Sequence, residues 1–474
     1  MKKVLLINTN TEKTPYPVPP IGLCIIAQSL EDHYIVKVYD GMFDEGKNLP
    51  ACVTEFKPDY IGCSIRNIDS MSIQTKDFFL DKVNDTFIKP LKNITAAPII
   101  AGGSGFSIFP SETLDYLGLD YGIVGEGEES FGLLLDHLET NRDVSSIPGI
   151  VIRNGSPTIN KQIIACLHPA KRFHSGISKY IDFKPYAERG AYPIQTKRGC
   201  AHNCIYCTYP VIEGKNFRSR DAIDIADEIE TVNKELGDIC FEFVDSTFND
   251  PAGHAEAICR EIIGRKLKVR MRTMGINPEN TSEELLLLMM EAGFTQIDST
   301  PDTASPVMLN NLRKNFSLEQ LQKTALLLKK HNLPTMWFFV FGGPGETHST
   351  IDETFAFIED YISPEDLVFI ATSLRIYPFT KLYDIALSEG MIQAGDSLLK
   401  PVFYDSPSFP HEKLSVYLRE KIGRKHNILF TSDVRPSPEM MKETIQYRAE
   451  NNLNEPMFRS LLRIRKLMIE EKRL

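Results

Sequence analysis

The sequence has little to tie it to a membrane or to nucleic acid. Among its 474 residues no apolar stretch approaches the ~18–20 residues of a membrane span. The opening MKKVLLINTNTEK carries basic residues and one short apolar run, with no small-residue cleavage site after it, so it reads as a first strand and not as a signal peptide. Basic residues are outnumbered, 53 against 63 acidic, for a net charge of -10. That excludes a broad cationic footprint, though not a local patch, and no nucleic-acid or membrane partner is expected. Cysteine is sparse: nine in all, six of them scattered in largely apolar surroundings such as YIGCSI and DICFEF. Those six read as small buried hydrophobes, and an odd count with one tight cluster is not a disulfide framework. A cytoplasmic location follows. No repeat or low-complexity tract stands out. What remains is an ordinary globular composition, 42% hydrophobic and 24% charged, at a length that suggests about three domains.

Residues 1–150 alternate short apolar runs with helical spacing: KVLLIN, then PPIGLCIIAQSLEDH, then YIVKVYD, YIGCSI, APIIAGG and YGIVGEGEESF. Buried strands alternating with helices imply an α/β, doubly wound parallel sheet, with ligands at the carboxyl ends of the strands. The segments expected there are NTNTEKTPYPVPP, SIRNID, AGGSGF and GEGEES. Residues 151–190 lose the alternation and read as a short hairpin at Asn154-Gly155 and then a linker. From 191 to 378 it resumes with YPIQT, CFEFVD, KVRMR, TQIDS, PTMWFFVFG and DLVFIATSLRIYP, six βα units that predict a partial barrel. Residues 379–474 are expected to form a small, mainly helical domain ending in the basic amphipathic FRSLLRIRKLMIEEKRL, read as a packing helix and not an RNA-binding one.

One short loop concentrates the chemistry. KRGCAHNCIYCTYP carries Cys200, Cys204 and Cys207, spaced four and three apart, directly after the first barrel strand. A structural zinc site commonly uses two separated Cys-x2-Cys pairs, and no second pair exists here. His202 is a conceivable fourth zinc ligand, crowded between its neighbours. Three thiolates suit a four-iron cluster with one iron left open for a chelating ligand.

On these residues, together with Tyr206 and FVFGGPGET at 339–347, the stretch from Tyr192 to about Pro378 resembles the radical S-adenosylmethionine (SAM) family. The resemblance implies that the three cysteines hold a 4Fe–4S cluster and that SAM chelates the open iron through its amino and carboxylate groups. It also implies SAM contacts at the strand ends. Asp245 or Thr247 is expected at the amino group, and Arg272, after VRMR, at the carboxylate. Where many relatives read GxESGS this chain has Ser299-Thr300-Pro301-Asp302, so Thr300 is the candidate contact there. Capping or turn roles are the plainer alternative for each. Tyr209 is either packing or a catalytic acid.

The first domain resembles the cobalamin-binding domain that precedes many radical SAM barrels, through VPPIGLCIIAQSL, GGSGFSIFPSETL and DYGIVGEGEESF. The resemblance places Ser64, Gly102, Gly103, Glu126 and Gly127 among the cofactor-binding residues. The loop after the first strand lacks the Asp-x-His-x-x-Gly that ligates cobalt from below. Arg66 is a candidate for that face, where a guanidinium cannot itself ligate, and a pair with Asp69 is the alternative.

Taken together, the two resemblances imply a cobalamin-dependent radical SAM methyltransferase that moves a methyl group from SAM, by way of methylcobalamin, to an unactivated carbon of a small molecule. An electron donor such as flavodoxin or ferredoxin is the expected partner. Cyclisation or rearrangement and polar methyl transfer are the alternative chemistries, and a non-catalytic sensor is the alternative class.

Overall fold

A computed structural model describes residues 1–153, 176–188, 190–433 and 435–473. The expected hairpin at Asn154-Gly155 lies outside the described residues. Two parallel sheets dominate. The first contains β1 (Lys3–Asn8), β2 (Ile35–Asp40), β3 (Tyr60–Ser64), β4 (Ile99–Gly102), β5 (Tyr121–Ile123) and β6 (Ile150–Ile152), in the order β2-β1-β3-β4-β5-β6. Only the edge strand β6 is antiparallel. Residues Val4–Ile7 of β1 are buried on both faces, as a strand covered by helices on each side requires. The chain winds outward in opposite directions from β1 and β3, so the crevice between their carboxyl ends is the topological switch point.

The second sheet holds β7 (Tyr192–Ile194), β10 (Cys240–Phe243), β11 (Arg270–Ile276), β12 (Phe294–Asp302), β13 (Thr335–Phe341), β14 (Leu367–Thr372) and β17 (Ile428–Phe430). Its order is β17-β14-β13-β12-β11-β10-β7, all parallel, a barrel left open between its two edge strands. Two small antiparallel ribbons accompany it, β8 (Lys197–Arg198) with β9 (Arg218–Ser219), and β15 (Leu374–Arg375) with β16 (Phe403–Tyr404).

Two expected boundaries move. The segment read as a linker belongs to both neighbours: β6 completes the first sheet, while Ile177, Phe183 and Tyr186 pack into the barrel core beside Tyr192. The carboxyl-terminal region is not separate, because it supplies β17 and the helix Met457–Glu470. That helix sets Phe458 and Leu462 against Leu367 and Phe369 at the base of the barrel. Its Arg459, 5% exposed, pairs with buried Asp366 at 3.1 Å, so its basic character is partly internal. Among the described residues no helix is long and apolar enough to cross a membrane.

Candidate active site at the barrel mouth

The cysteine loop leaves β8 through Gly199, whose φ of +86° and close approach to the Asn216 carbonyl leave no room for a Cβ. Its N–H donates to Glu213 at 3.0 Å. The loop is then fastened at Ile205, whose N–H donates to Leu312 at 3.2 Å and whose carbonyl accepts from Leu382 at 2.8 Å. Tyr206 donates to Asp302, which also accepts from the buried Lys314 ammonium at 2.8 Å. Cys200, Cys204 and Cys207 are free thiols. Burial raises all three, Cys207 to about 12, while Lys314 works in the opposite sense on Cys204 and Cys207. His202 is engaged elsewhere: its Nε2 meets Asp250 at 2.8 Å, and Asp250 also accepts from Thr247, Asn277 and Asn280. Burial opposes ionisation of Asp250, but those donors together hold it down at about 2.

The strand ends correct several expectations. Asp245 has little carboxylate left for a ligand, because it accepts from the Thr196 N–H and hydroxyl at 2.8 and 2.7 Å and the Lys197 N–H at 3.2 Å, and lies 3.4 Å from the Lys197 ammonium. It clasps the start of the cysteine loop to β10. Thr247 spends its hydroxyl on Asp250 at 2.8 Å. Arg272 does not end its strand, since β11 continues to Ile276. It projects into the lumen, its Nε 2.6 Å from Glu242 and its guanidinium 4.7 Å from the Tyr16 ring centroid. Thr300 is half-buried near the end of β12. Tyr209 opens the short helix after the cysteines, 39% exposed, its hydroxyl pushed up chiefly by burial.

In the first domain Gly103 has φ +101° and lies where a Cβ would come within 2.6 Å of the Ile65 carbonyl. Its lack of a side chain is required by neighbouring backbone, not by a ligand, whereas Gly102 has space beside it. Glu126, expected at a cofactor, pairs with Arg198 at 3.1 Å and with Arg218, while Glu128 takes the other end of Arg198. This cluster bolts the first domain to the β8/β9 ribbon. Gly127 packs against Ile26. Ser64, at the end of β3, and Arg66 remain at the switch point. Asp69 is taken by Arg375 at 3.0 Å, with both side chains buried, so the alternative pairing fails. Among the described residues the Arg66 guanidinium hydrogen-bonds only the Asn67 amide. It is solvent-accessible yet walled by protein, and desolvation lowers its pKa against the pull of Tyr209, Tyr16 and Glu242.

The comparisons with known proteins join these halves. Residues 194–358 match the model of the radical SAM superfamily, and residues 7–135 match that of the B12 binding domain. Together the two matches span more than half of the chain. The chain is a cobalamin-dependent radical SAM enzyme, methyltransferase-like. Among its relatives, tryptophan 2-C-methyltransferase of Streptomyces laurentii is 25% identical over 73% of this chain and 68% of its own length. Cytidylyl-2-hydroxyethylphosphonate methyltransferase of Streptomyces wedmorensis is also 25% identical, over 74% and 75%. The structure of the radical SAM methyltransferase TsrM from Kitasatospora setae, with cobalamin and a [4Fe-4S] cluster bound, superposes with a TM-score of 0.82 over the full length of both chains. At 21% identity that likeness speaks to the fold.

A radical SAM methyltransferase of this kind takes a 4Fe–4S cluster, SAM and cobalamin, and the residues present fit them. The three thiols share one loop, yet among the described residues no three ligand side chains converge on a single ion. A four-iron cluster requires no such convergence, because each thiolate binds its own iron. The switch-point crevice holds Arg66, which has no ion-pair partner among the described residues, and the buried Asn10 Nδ2, which has no hydrogen-bond partner among them. An amide donor left orphaned at a ligand crevice suits a group rich in amide carbonyls. Sequence reading missed Tyr16, Glu242, Asp298 and Lys314. The signal for two of them was available: Glu242 and Asp298 are acids inside strand-forming runs, at positions that alternate with the helix-facing residues.

Proposed function

We propose that the methyl group is delivered to an unactivated carbon of a small molecule held in the barrel lumen, beneath the loops of the cobalamin domain. When bound, cobalamin supplies a methyl carrier, and the cluster with SAM supplies one-electron chemistry. The observation that carries the reading is Arg66. Among the described residues it is a cation without a carboxylate partner, set at the switch point between β1 and β3, with Asp69 withheld from it by Arg375. A guanidinium has no lone pair to offer a metal. In this reading Arg66 would lie against bound cobalamin without offering it a ligand, and cobalamin would supply the methyl-carrying chemistry there. Tyr209 and Tyr16 both lie within electrostatic reach of Arg66, so the loop carrying the cluster and the loop after β1 approach the same space. Tyr16 reaches from the first domain into the lumen and shields the groups there from water. Ser64 and Gly102 flank the crevice as further cobalamin contacts, and Thr300 stands near the mouth as a SAM contact.

The electron donor is expected to be of the flavodoxin or ferredoxin class, and the setting cytoplasmic. The test of the radical step is the ratio of by-products with the true substrate. S-adenosylhomocysteine and 5'-deoxyadenosine in about equal amounts support it. S-adenosylhomocysteine without 5'-deoxyadenosine replaces it with polar transfer, and 5'-deoxyadenosine without methylated product replaces it with cyclisation or rearrangement.

A further inference from the structure

On β10, β11 and β12 side chains alternate between the surrounding helices and the lumen. Phe241 and Phe243, Met271, and Ile297 lie in the core under the helices. Between them Glu242, Arg272, Gln296 and Asp298 project inward, and the register sets Arg272 between Glu242 on one neighbouring strand and Gln296 on the other. Glu242 is fully engaged. Its oxygens accept from the Tyr16 hydroxyl at 2.8 and 2.9 Å, and Arg272 Nε lies 2.6 Å from one of them.

Two groups of this layer are not fully engaged. Nη2 of Arg272 is buried with no hydrogen-bond partner among the described residues, and Nε meets Glu242 only as an ion pair, although the side chain keeps 20% of its surface exposed. Asp298 accepts a bond from Gln296 Nε2 to Oδ1 at 2.9 Å, and among the described residues no donor reaches its Oδ2. An enclosed carboxylate without a paired cation is costly, and a strand that only had to fill a barrel would carry an apolar residue there. Apolar side chains flank these groups. Met274 is 45% exposed, and Met336 and Phe338 are half-buried above the floor made by Phe458 and Leu462.

We infer that the lumen binds a free α-amino acid with an apolar side chain, its ammonium on Asp298, its carboxylate on Arg272 and its side chain against Met274, Met336 and Phe338. The inference rests on the reading that the substrate lies in the lumen. Burial pushes the Asp298 carboxyl up to about 7, with Glu242 adding to the effect and Arg272 and Gln296 opposing it. On this side β13 presents the uncharged Met336 and Phe338, and the first domain presents Tyr16. An ammonium partner favours the ionised form, so binding weakens as pH falls below about 7.

SAM carries the same amino and carboxylate pair, so the test separates the two sources. Reconstituted holoenzyme, saturated with S-adenosylhomocysteine, is titrated calorimetrically with the standard amino acids one at a time. The best binder is then compared with its decarboxylated amine and its deaminated acid. The expected result is binding of at least one apolar amino acid alongside S-adenosylhomocysteine, with both analogues roughly ten-fold weaker or worse. Asp298→Asn, nearly isosteric, should weaken the amino acid by a similar factor and leave the deaminated acid unchanged. Arg272→Met should do the converse for the amine. No amino acid binding at millimolar concentration, competition with S-adenosylhomocysteine, or an Asp298→Asn variant that binds like the parent overturns the inference. Iron and cobalamin content are measured on every sample. Absent amino acid binding with cofactors retained therefore rejects this site and not the family chemistry.

Discussion

Tyr16 and Glu242 are 226 positions apart in the chain, yet the Tyr16 hydroxyl donates to both oxygens of Glu242, at 2.8 and 2.9 Å. One belongs to the loop after β1, the other to barrel strand β10. Their bond ties the cobalamin domain to the lumen of the neighbouring barrel. Tyr16→Phe keeps the ring over Arg272 and removes only the donor. The expected cost is about 1–3 kcal/mol, because Glu242 is left with an unpaired buried oxygen. Denaturant unfolding of the variant against the parent measures it. An unchanged midpoint would show that the bond is not held in solution.

Cys200, Cys204 and Cys207 are expected to be the only cysteine ligands of the cluster. Replacing all three with alanine should abolish bound iron and the broad visible absorption. Alanine at Cys24 or Cys259, both fully buried thiols, should retain the iron and cost roughly 1–3 kcal/mol through packing alone. Iron retained by the triple variant would refute the assignment.

Arg66 predicts a spectroscopic outcome. Cobalamin bound to the enzyme and held as Co(II) should give an electron paramagnetic resonance spectrum without nitrogen superhyperfine splitting, since the loop after β1 offers no histidine. Arg66→His introduces an imidazole at the same position and is expected to bring the splitting in. Splitting in the parent enzyme would contradict the placement.

Asp298 should make the fold less stable as pH rises. Its carboxyl is raised from 3.8 to about 7 in the folded chain, so between those values the native state holds a proton that the unfolded state has released. Stability therefore falls with increasing pH across that window and stays low above it. Asp298→Asn removes the penalty. The variant should gain stability over the parent on going from pH 5 to pH 8, by on the order of 1–3 kcal/mol, in the absence of ligand. A difference that does not change with pH would show that the carboxyl titrates normally.

Much of this was legible in the sequence where a local rule governs. The cysteine spacing located the cluster loop, and alternating apolar runs gave both sheets. What was not legible depends on partners distant in the chain. Asp245 reads as a strand-end ligand contact, yet Thr196 and Lys197 consume it. Glu126 sits in a glycine-rich loop of ligand-binding appearance, yet Arg198 and Arg218, from the ribbon beside the cysteine loop, claim it. Arg272 was placed at a strand end because MRTMGI is a weak strand signal, with a glycine inside it; pairing with β12 carries β11 four residues further. The region from 379 reads as a separate helical domain because β17 is only three residues long and gains its meaning by pairing with β14.

The central claim is that cobalamin relays the methyl group of SAM. It is tested most directly with trideuteromethyl-SAM, a strong reductant and a small-molecule extract, followed by mass spectrometry, using enzyme reconstituted with and without cobalamin. The account predicts a small molecule carrying the deuterated methyl group, together with S-adenosylhomocysteine, only when cobalamin is bound. Labelled product and S-adenosylhomocysteine formed equally well without cobalamin would contradict it.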